Sequence, residues 1–242
     1  MARYILMDIE GTTTDISFVH QVLFPYSAEH LPRFVQEYST GHSGNPEVRA
    51  VLQSVKETIR MENKQGAETC EPNDEQAVET LLRWIREDRK HTALKTLQGL
   101  IWKAGYERGD YRGHVYDDVP AALEQWKKQG IDLGIYSSGS VQAQKLIFGY
   151  STHGDLTPYF SHYFDTHVGG KKEAGSYLKI AEQLNLPPSD ILFLSDMEDE
   201  LDAAAQAGMQ IMQLVRKEPV TSKYPTVSSF AELDPTEASI LC

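Results

Sequence analysis

The sequence predicts an α/β fold, a doubly wound parallel sheet core with an inserted all-helical cap. Three observations predict it. Short apolar segments alternate with amphipathic helical segments after residue 112, one apolar segment stands alone near the N-terminus, and the residues between them show only helical periodicity. We therefore assign residues 1–16 and 112–242 to the core and residues 17–111 to the cap. The chain of 242 residues is long enough for both.

The first strand is predicted at Tyr4–Met7, four apolar residues that end at Asp8 and the turn-prone Gly11. Helical spacing then predicts four cap helices, and Asn45 and Asn73 precede the second and third as caps. The predicted helices cover residues 31–38, 46–61, 75–89 and 93–106.

Strands and helices alternate in the remainder of the chain. The predicted strands cover residues 131–136, 163–168, 191–194 and 211–215, and the predicted helices cover residues 119–129, 174–184 and 200–207, with one more opened by residues 137–140. Such alternation favours a parallel sheet, which binds ligands outside the carboxyl ends of its strands. The segment after Arg216 is expected to cover the core loosely.

Composition narrows the classes of partner. Lys and Arg number 23 and Asp and Glu 35, which gives a formal charge of −12 and disfavours nucleic acid and anionic membrane surfaces. The apolar runs are too short for a membrane span or a signal peptide. Cys70 and Cys242 form no CxxC pattern, which argues against a disulfide framework and a zinc site. We therefore expect a cytoplasmic protein, with a monomer as the default.

Acidic and hydroxyl side chains follow three predicted strands. Asp8 and Glu10 follow the first, Ser137 and Ser138 the second, and Asp196 a later one. These ends should meet at one sheet edge, and carboxylate oxygens are the ligands that Mg²⁺ prefers. A lone acid at a strand end is more often a helix cap, so the prediction of a magnesium site depends on the combination.

The same residue types suit phosphoryl chemistry, which needs an oxygen nucleophile, a cation and neutral donors that hold the phosphate. Ser137 and Ser138 can donate hydroxyls, although capping of the next helix would explain them equally well. Lys171 or Lys172 can offset the negative charge, although both could be surface lysines. The sequence around them is not a phosphate-binding loop of the Walker type, because Asp165 and Lys172 replace required residues.

The order of Asp8 in DIEGTT, then Ser137, Lys171 and Asp196 resembles the four motifs of the haloacid-dehalogenase-like phosphohydrolases. The resemblance implies that Asp8 is the nucleophile and a magnesium ligand and that Asp196 is a second ligand. It further implies that Ser137 binds phosphate and that Lys171 stabilises charge, with Lys172 still possible.

Longer stretches are similar to the enolase-phosphatases of methionine salvage, in both core and cap. They are LMDIEGTTT at 6–14, LFPY at 23–26, DRKHTALK at 88–95, YSSGSVQAQKL at 136–146 and ILFLSD at 191–196. One departure from most phosphatases of the superfamily is Glu10, which stands where they have Asp.

This similarity implies a two-step reaction on a phosphorylated diketone, 2,3-diketo-5-methylthiopentyl 1-phosphate. Enolisation to an enol phosphate precedes hydrolysis to the acireductone and phosphate. Glu10 is the expected proton-transfer group, Ser138 and Lys171 the expected substrate contacts, and one Mg²⁺ per chain is held by Asp8, Glu10 and Asp196, with Glu10 contributing its carboxylate or its backbone carbonyl.

Three alternatives stay open from the residues. A sister phosphatase or phosphomutase would share the core motifs and differ in the cap. A receiver-like module that stores phosphate on Asp would have its acceptor Asp after a strand in the middle of the chain. Asp8 instead follows the first predicted strand. A catalytically silent binding protein would not need all four polar positions.

Overall fold

The computed structural model describes residues 2–39, 44–63, 71–217 and 221–235. The chain divides into two compact units, which we call the sheet unit (Met1–Phe18 and Arg112–Cys242) and the helical unit (Val19–Tyr111). Cys70 and Cys242, on which the compartment prediction rests, lie outside the described residues. In the described part of the chain no helix is long and apolar enough to cross a bilayer.

The sheet unit is built on one parallel sheet of six strands with the order β3-β2-β1-β4-β5-β6. The chain order therefore reverses direction at β1, which is the arrangement of a doubly wound fold. The predicted α/β class is confirmed. The strands are β1 (Tyr4–Met7), β2 (Asp132–Tyr136), β3 (His162–Phe164), β4 (Ile191–Ser195), β5 (Gln210–Leu214) and β6 (Thr226–Val227).

Strand register aligns three carboxyl ends. Met7 of β1 pairs with Ile135 of β2 on one side and with Leu194 of β4 on the other. Parallel strands in this register end at the same level of the sheet. The residues that follow them therefore share one edge, at the point where the strand order reverses.

Helices account for most of the remaining described residues. They are α1 (Ile16–Phe18), α2 (Phe24–Tyr38), α3 (Pro46–Asn63), α4 (Asp74–Arg86), α5 (Thr92–Arg108), α6 (Val119–Lys128), α7 (Val141–Gly149), α8 (Ala174–Leu184) and α9 (Glu198–Gln206). A π-helical turn, Val19–Leu23, precedes α2.

The two units have separate apolar cores. Residues of β1 and β4 such as Leu6 and Phe193 are fully buried, because a parallel sheet covered by helices has two buried faces. In the helical unit, Trp84, Leu81 and Leu97 lie at the centre of a core formed by α2 to α5. Each unit therefore buries its apolar residues in a core of its own.

Several boundaries differ from the sequence predictions. The helix predicted at 31–38 begins at Phe24, with Pro25 in its first turn and Pro32 inside it. The strand predicted at 163–168 ends at Phe164, because the Asp165 carboxylate accepts the His167 amide and turns the chain. The two-residue β6 was not predicted.

The segment after Arg216 is also held more firmly than expected. Phe230 is only 1% exposed and packs against Trp126 of α6, with 5.2 Å between ring centroids. The prediction of a loose cover was therefore wrong for this part of the segment. Phe230, an apolar residue in a mostly polar segment, anchors that segment to the core.

Candidate active site

Asp8 lies immediately after β1 and is 4% exposed. Its amide donates to the carbonyl of Leu194 at 2.9 Å, which continues the pairing of β1 with β4. The chain then turns tightly, because the Ile9 carbonyl accepts the amides of three successive threonines at 3.2, 3.0 and 2.9 Å. These residues are Thr12, Thr13 and Thr14.

Gly11 stands at the centre of this turn with φ +77°, a conformation that favours glycine. A Cβ atom at this position would lie 2.3 Å from Oδ2 of Asp196. The absence of a side chain therefore lets the turn after β1 approach the carboxylate that follows β4. Asp8 and Asp196 meet at one edge through this contact.

Asp196 shows the features of an incomplete site. Its Oδ1 is buried and has no hydrogen-bond partner among the described residues. Burial, together with the negative charge of Asp8, raises the pKa of Asp196 to about 7. A cation at this position would oppose that shift, because a nearby positive charge favours the ionised carboxylate.

Lys171 supplies positive charge at the same place. Its side chain is 9% exposed, and its Nζ donates to Oδ1 of Asp8 and lies 2.6 Å from Oε2 of Glu200. Burial alone would lower the pKa of Lys171, but the carboxylates of Asp8 and Glu200 outweigh it and raise that pKa. Lys171 is therefore a buried ammonium shared by two carboxylates.

The backbone near Lys171 is fixed by tyrosine hydroxyls from the core. Tyr177 of α8 donates to the Lys171 carbonyl at 2.7 Å, and Tyr136 of β2 donates to the Gly169 carbonyl at 3.0 Å. Lys172, by contrast, has a side chain that is 63% exposed and pairs with Asp199. Of the two lysines, only Lys171 contacts Asp8 in the described residues.

Glu200 belongs to the acidic residues that follow Asp196 in the sequence, but the sequence assigned it no role of its own. It lies in the first turn of α9 and accepts from the Ser195 hydroxyl at 2.9 Å as well as from Lys171. Burial and the Asp8 charge raise its pKa. The sequence offers three consecutive acidic residues in this turn, Glu198, Asp199 and Glu200, without a signal of which one faces inward.

Ser137 and Ser138 follow β2 at the same edge and differ in exposure. Ser137 is 4% exposed and accepts the Gly139 amide at 3.2 Å, whereas Ser138 is exposed. The cap of α7 is Ser140, whose hydroxyl accepts the Ala143 amide at 3.2 Å. Helix capping therefore does not account for Ser137 or Ser138.

Glu10 is half-buried, and its backbone forms an isolated β-bridge with that of Thr14 across the turn. In the described ranges, no three His, Cys, Asp or Glu side chains form a group that could hold a metal ion by themselves. A cation bound between Asp8 and Asp196 therefore needs further oxygen donors, and a backbone carbonyl of the turn, water or substrate can supply them.

These residues fit Mg²⁺ by their chemistry. Two carboxylates of like charge share a partly buried edge, one oxygen of Asp196 is unpartnered, and Gly11 lets the turn after Asp8 approach it. Hard oxygen donors of this kind select Mg²⁺ over softer metals.

Comparison with known proteins identifies the family of the chain. The model of a family described as haloacid dehalogenase-like hydrolase matches residues 2–208. The chain is 52% identical to Enolase-phosphatase E1 of Pseudomonas aeruginosa over 231 residues, which is 96% of this chain and 97% of that protein. It is also 52% identical to Enolase-phosphatase E1 of Klebsiella oxytoca, over 98% of this chain and 99% of that protein.

Solved structures agree at the level of the fold. The UTR4 protein of Saccharomyces cerevisiae has a TM-score of 0.76 and 34% identity, over 96% of this chain and all of that chain. A HAD phosphatase from Thermococcus onnurineus has a TM-score of 0.58 over 96% of this chain and 95% of its own, and at 17% identity it supports the fold alone. The resemblance found in the sequence is confirmed: the chain belongs to the haloacid dehalogenase-like hydrolases and, within them, to the enolase-phosphatases.

Proposed function

We propose that this protein is a magnesium-dependent enolase-phosphatase that converts 2,3-diketo-5-methylthiopentyl 1-phosphate to the acireductone 1,2-dihydroxy-3-keto-5-methylthiopentene and phosphate. The observation that carries the proposal is the buried Lys171 ammonium between Asp8 and Glu200 at the carboxyl edge of β1. The name of its relatives, Enolase-phosphatase E1, supports the two activities.

In the phosphatase step, a carboxylate oxygen of Asp8 attacks phosphorus and the bond to the substrate oxygen breaks. The protonated Lys171 holds the Asp8 carboxylate in place and offsets charge that the phosphate brings. The hydroxyls of Ser137 and Ser138, with the amides at the start of α7, bind the phosphoryl oxygens. Water then releases phosphate from Asp8.

In the enolase step, the proton on C1 of the diketone moves to the oxygen on C2. Glu10 is the group that transfers it and later protonates the leaving oxygen, because it follows Asp8 by two residues at the same edge. The side chain is half-buried, which suits a carboxyl group that must both meet substrate and exchange protons with water.

One Mg²⁺ per chain would be held by Asp8, Asp196 and Glu10, the last through its carboxylate or its backbone carbonyl. When bound, the ion neutralises charge on the phosphoryl group and polarises the oxygens of the diketone. The unpartnered Oδ1 of Asp196 and its raised pKa support this assignment.

Residues 17–111 would form the cap that selects the leaving group, and residues 1–16 and 112–242 would form the core. The compactness of the helical unit supports this division. A monomer is the expected state, and the large apolar side chains exposed in the described residues number four: Ile16, Met61, Leu178 and Met197. The cytoplasm suits the acidic composition and the scarcity of cysteine.

The test is an anaerobic incubation with the diketone phosphate, with and without Mg²⁺, that follows acireductone absorbance and released phosphate together. We expect both products in a ratio near one to one, and only with Mg²⁺. Phosphate release from a generic ester without acireductone from the diketone would instead favour a sister phosphatase, the alternative that shares these core residues.

A further inference from the structure

Arg216 is a buried cation of the sheet unit that the mechanism above does not use. It follows β5 by two residues, and its side chain is 7% exposed. Its Nε donates to the Thr12 carbonyl at 2.9 Å, and its Nη1 donates to Oδ2 of Asp118 at 2.7 Å and to the Ser228 carbonyl at 3.3 Å. One side chain therefore joins three distant segments of the chain.

The Asp118 carboxylate that pairs with Arg216 is itself held by the segment after β6. Its Oδ2 also accepts from the Ser229 hydroxyl at 2.9 Å and from the Phe230 amide at 2.6 Å. The Arg216 guanidinium lies 4.4 Å from the ring centroid of Tyr116 and 4.8 Å from that of Phe230. Charge, hydrogen bonds and ring contacts together leave this guanidinium little freedom.

Thr12 connects this cluster to the reacting edge. It follows Gly11, the residue whose backbone packs against the Asp196 carboxylate, and its amide donates to Ile9 in the turn after Asp8. Thr12 is 0% exposed. A shift of its carbonyl would therefore move Gly11 and change the space between Asp8 and Asp196.

Stability alone is a weak reason for this arrangement. Buried ion pairs contribute little net stability, since desolvation offsets their attraction, and here one nitrogen, Nη2 of Arg216, is buried without a hydrogen-bond partner in the described residues. Because two different nitrogens of Arg216 donate, to Thr12 and to Asp118, the guanidinium is a fork that fixes the direction of one acceptor relative to the other. A lysine has a single nitrogen and cannot occupy the Nε and Nη1 positions together.

We propose that Arg216 is a positioning residue for catalysis: by holding the Thr12 carbonyl against Asp118 and the segment Ser228–Phe230, it fixes the turn that presents Asp8 and Glu10 beside Asp196. Arg216, which follows β5, thereby contributes to catalysis without touching substrate. The role in turnover rests on the proposed function, whereas the effect on the turn does not.

The first test measures amide hydrogen exchange of residues 11–14 in the full chain by mass spectrometry. Arg216→Lys keeps the charge and Arg216→Met keeps much of the volume, but neither retains the fork. Ser229→Ala is the matched control, because it removes a hydrogen bond to the same Asp118 oxygen and leaves the bond to Thr12 in place.

We expect exchange of residues 11–14 to accelerate about tenfold or more in both Arg216 variants and to stay near the wild-type rate in Ser229→Ala. Unchanged exchange in Arg216→Lys would overturn the proposal, because charge alone would then suffice. Acceleration that extends equally through β1 and β4 would also overturn it, because the residue would then act on overall stability.

The second test measures turnover of whichever phosphomonoester the wild-type protein hydrolyses, the diketone phosphate or a generic ester. We expect kcat to fall about tenfold in Arg216→Lys while KM changes less than about twofold, because the defect lies in the alignment of Asp8 and not in binding. An unchanged kcat, combined with a faster-exchanging turn, would refute the positioning role and leave the proposed substrate untouched.

Discussion

The Nζ of Lys171 lies 2.6 Å from Oε2 of Glu200 while it also donates to Asp8. The ammonium therefore belongs to two carboxylates that come from opposite ends of the sheet unit's sequence. With Asp196 close by, the cluster carries more negative than positive side chains. This excess of negative charge keeps Lys171 protonated, and a further cation would be needed to neutralise the rest.

Glu200→Gln should reduce kcat for phosphate release by about 10- to 100-fold, the usual effect of losing a group that orients a reacting side chain. Without the second carboxylate, the pKa of Lys171 is raised by Asp8 alone and the lysine loses one of its two anchors. Steady-state kinetics with the diketone phosphate measures the change.

The neighbouring Asp199→Asn provides the control for that variant. Asp199 pairs with the exposed Lys172 and has a side chain that is 60% exposed, so its replacement should change kcat less than about twofold. Equal losses in the two variants would mean that the acidic first turn of α9 acts through its total charge and not through the Lys171 contact.

Gly11→Ala should abolish most activity, because its Cβ would lie 2.3 Å from Asp196 Oδ2 at a φ of +77°. Gly130→Ala is matched in backbone strain, since Gly130 has φ +79° and open space around its Cβ position. Each variant should lose about 1–2 kcal/mol of stability from the left-handed conformation. Only Gly11→Ala should lose turnover, as urea unfolding and a phosphate assay on both proteins would reveal.

Magnesium binding should stabilise the chain even without substrate. At a hundredfold excess over Kd, a ligand that binds only the folded state adds about 2.7 kcal/mol to the free energy of unfolding. Asp196→Asn should lose most of this increment, whereas Asp190→Asn, which alters an acid that precedes β4 and pairs with Arg3, should keep it. Thermal unfolding with Mg²⁺ and with a chelator tests both, and an equal increment in Asp196→Asn would exclude that residue as a ligand.

The helical unit should lose stability in mild acid through His91. Its Nδ1 accepts the Ala93 amide at 3.2 Å and so caps α5, which requires that nitrogen to be unprotonated. Burial and the nearby Arg89 charge lower the pKa of His91 from its ordinary value of 6.5. Because the unfolded state then binds the proton more readily, stability is present above that ordinary pKa and declines as the pH falls below it.

His91→Asn tests this origin of the acid sensitivity, since asparagine is a good cap that does not titrate. Between about pH 7 and about pH 5, urea unfolding of the wild-type protein should show a larger drop in stability than the variant does. Parallel pH dependences in the two proteins would assign the acid sensitivity to other groups.

Much of the fold could be predicted because its signals are local. Four apolar residues between polar ones predict β1 correctly, and Asn73 marks the start of α4, where the structure has a full capping box. The start of α2 could not be predicted in the same way. Pro32 is typical of a first helical turn, but Pro25 occupies that position and Pro32 lies inside the helix.

The residues of the candidate site that follow strands could be predicted from the sequence. The residues that hold them in place, Glu200 and Arg216, could not. Asp8, Ser137 and Asp196 follow strands whose register aligns them, and the short apolar runs that form those strands were visible in the sequence. The inward direction of Glu200 and the fork of Arg216 depend on helix rotation and on contacts between residues far apart in the chain. Contacts of this kind produce no local pattern in the sequence from which they could be predicted.

The central position of β1 has a consequence for biosynthesis. Ile5 and Leu6 are fully buried between β2 and β4, yet the ribosome makes β1 first and reaches β4 only at Ile191. At ordinary elongation rates, the roughly 190 residues between them take about 10 to 40 s to translate. During that time the apolar β1 and the Asp8 that follows it lack β4 as a partner, and an unpaired apolar strand is prone to aggregation.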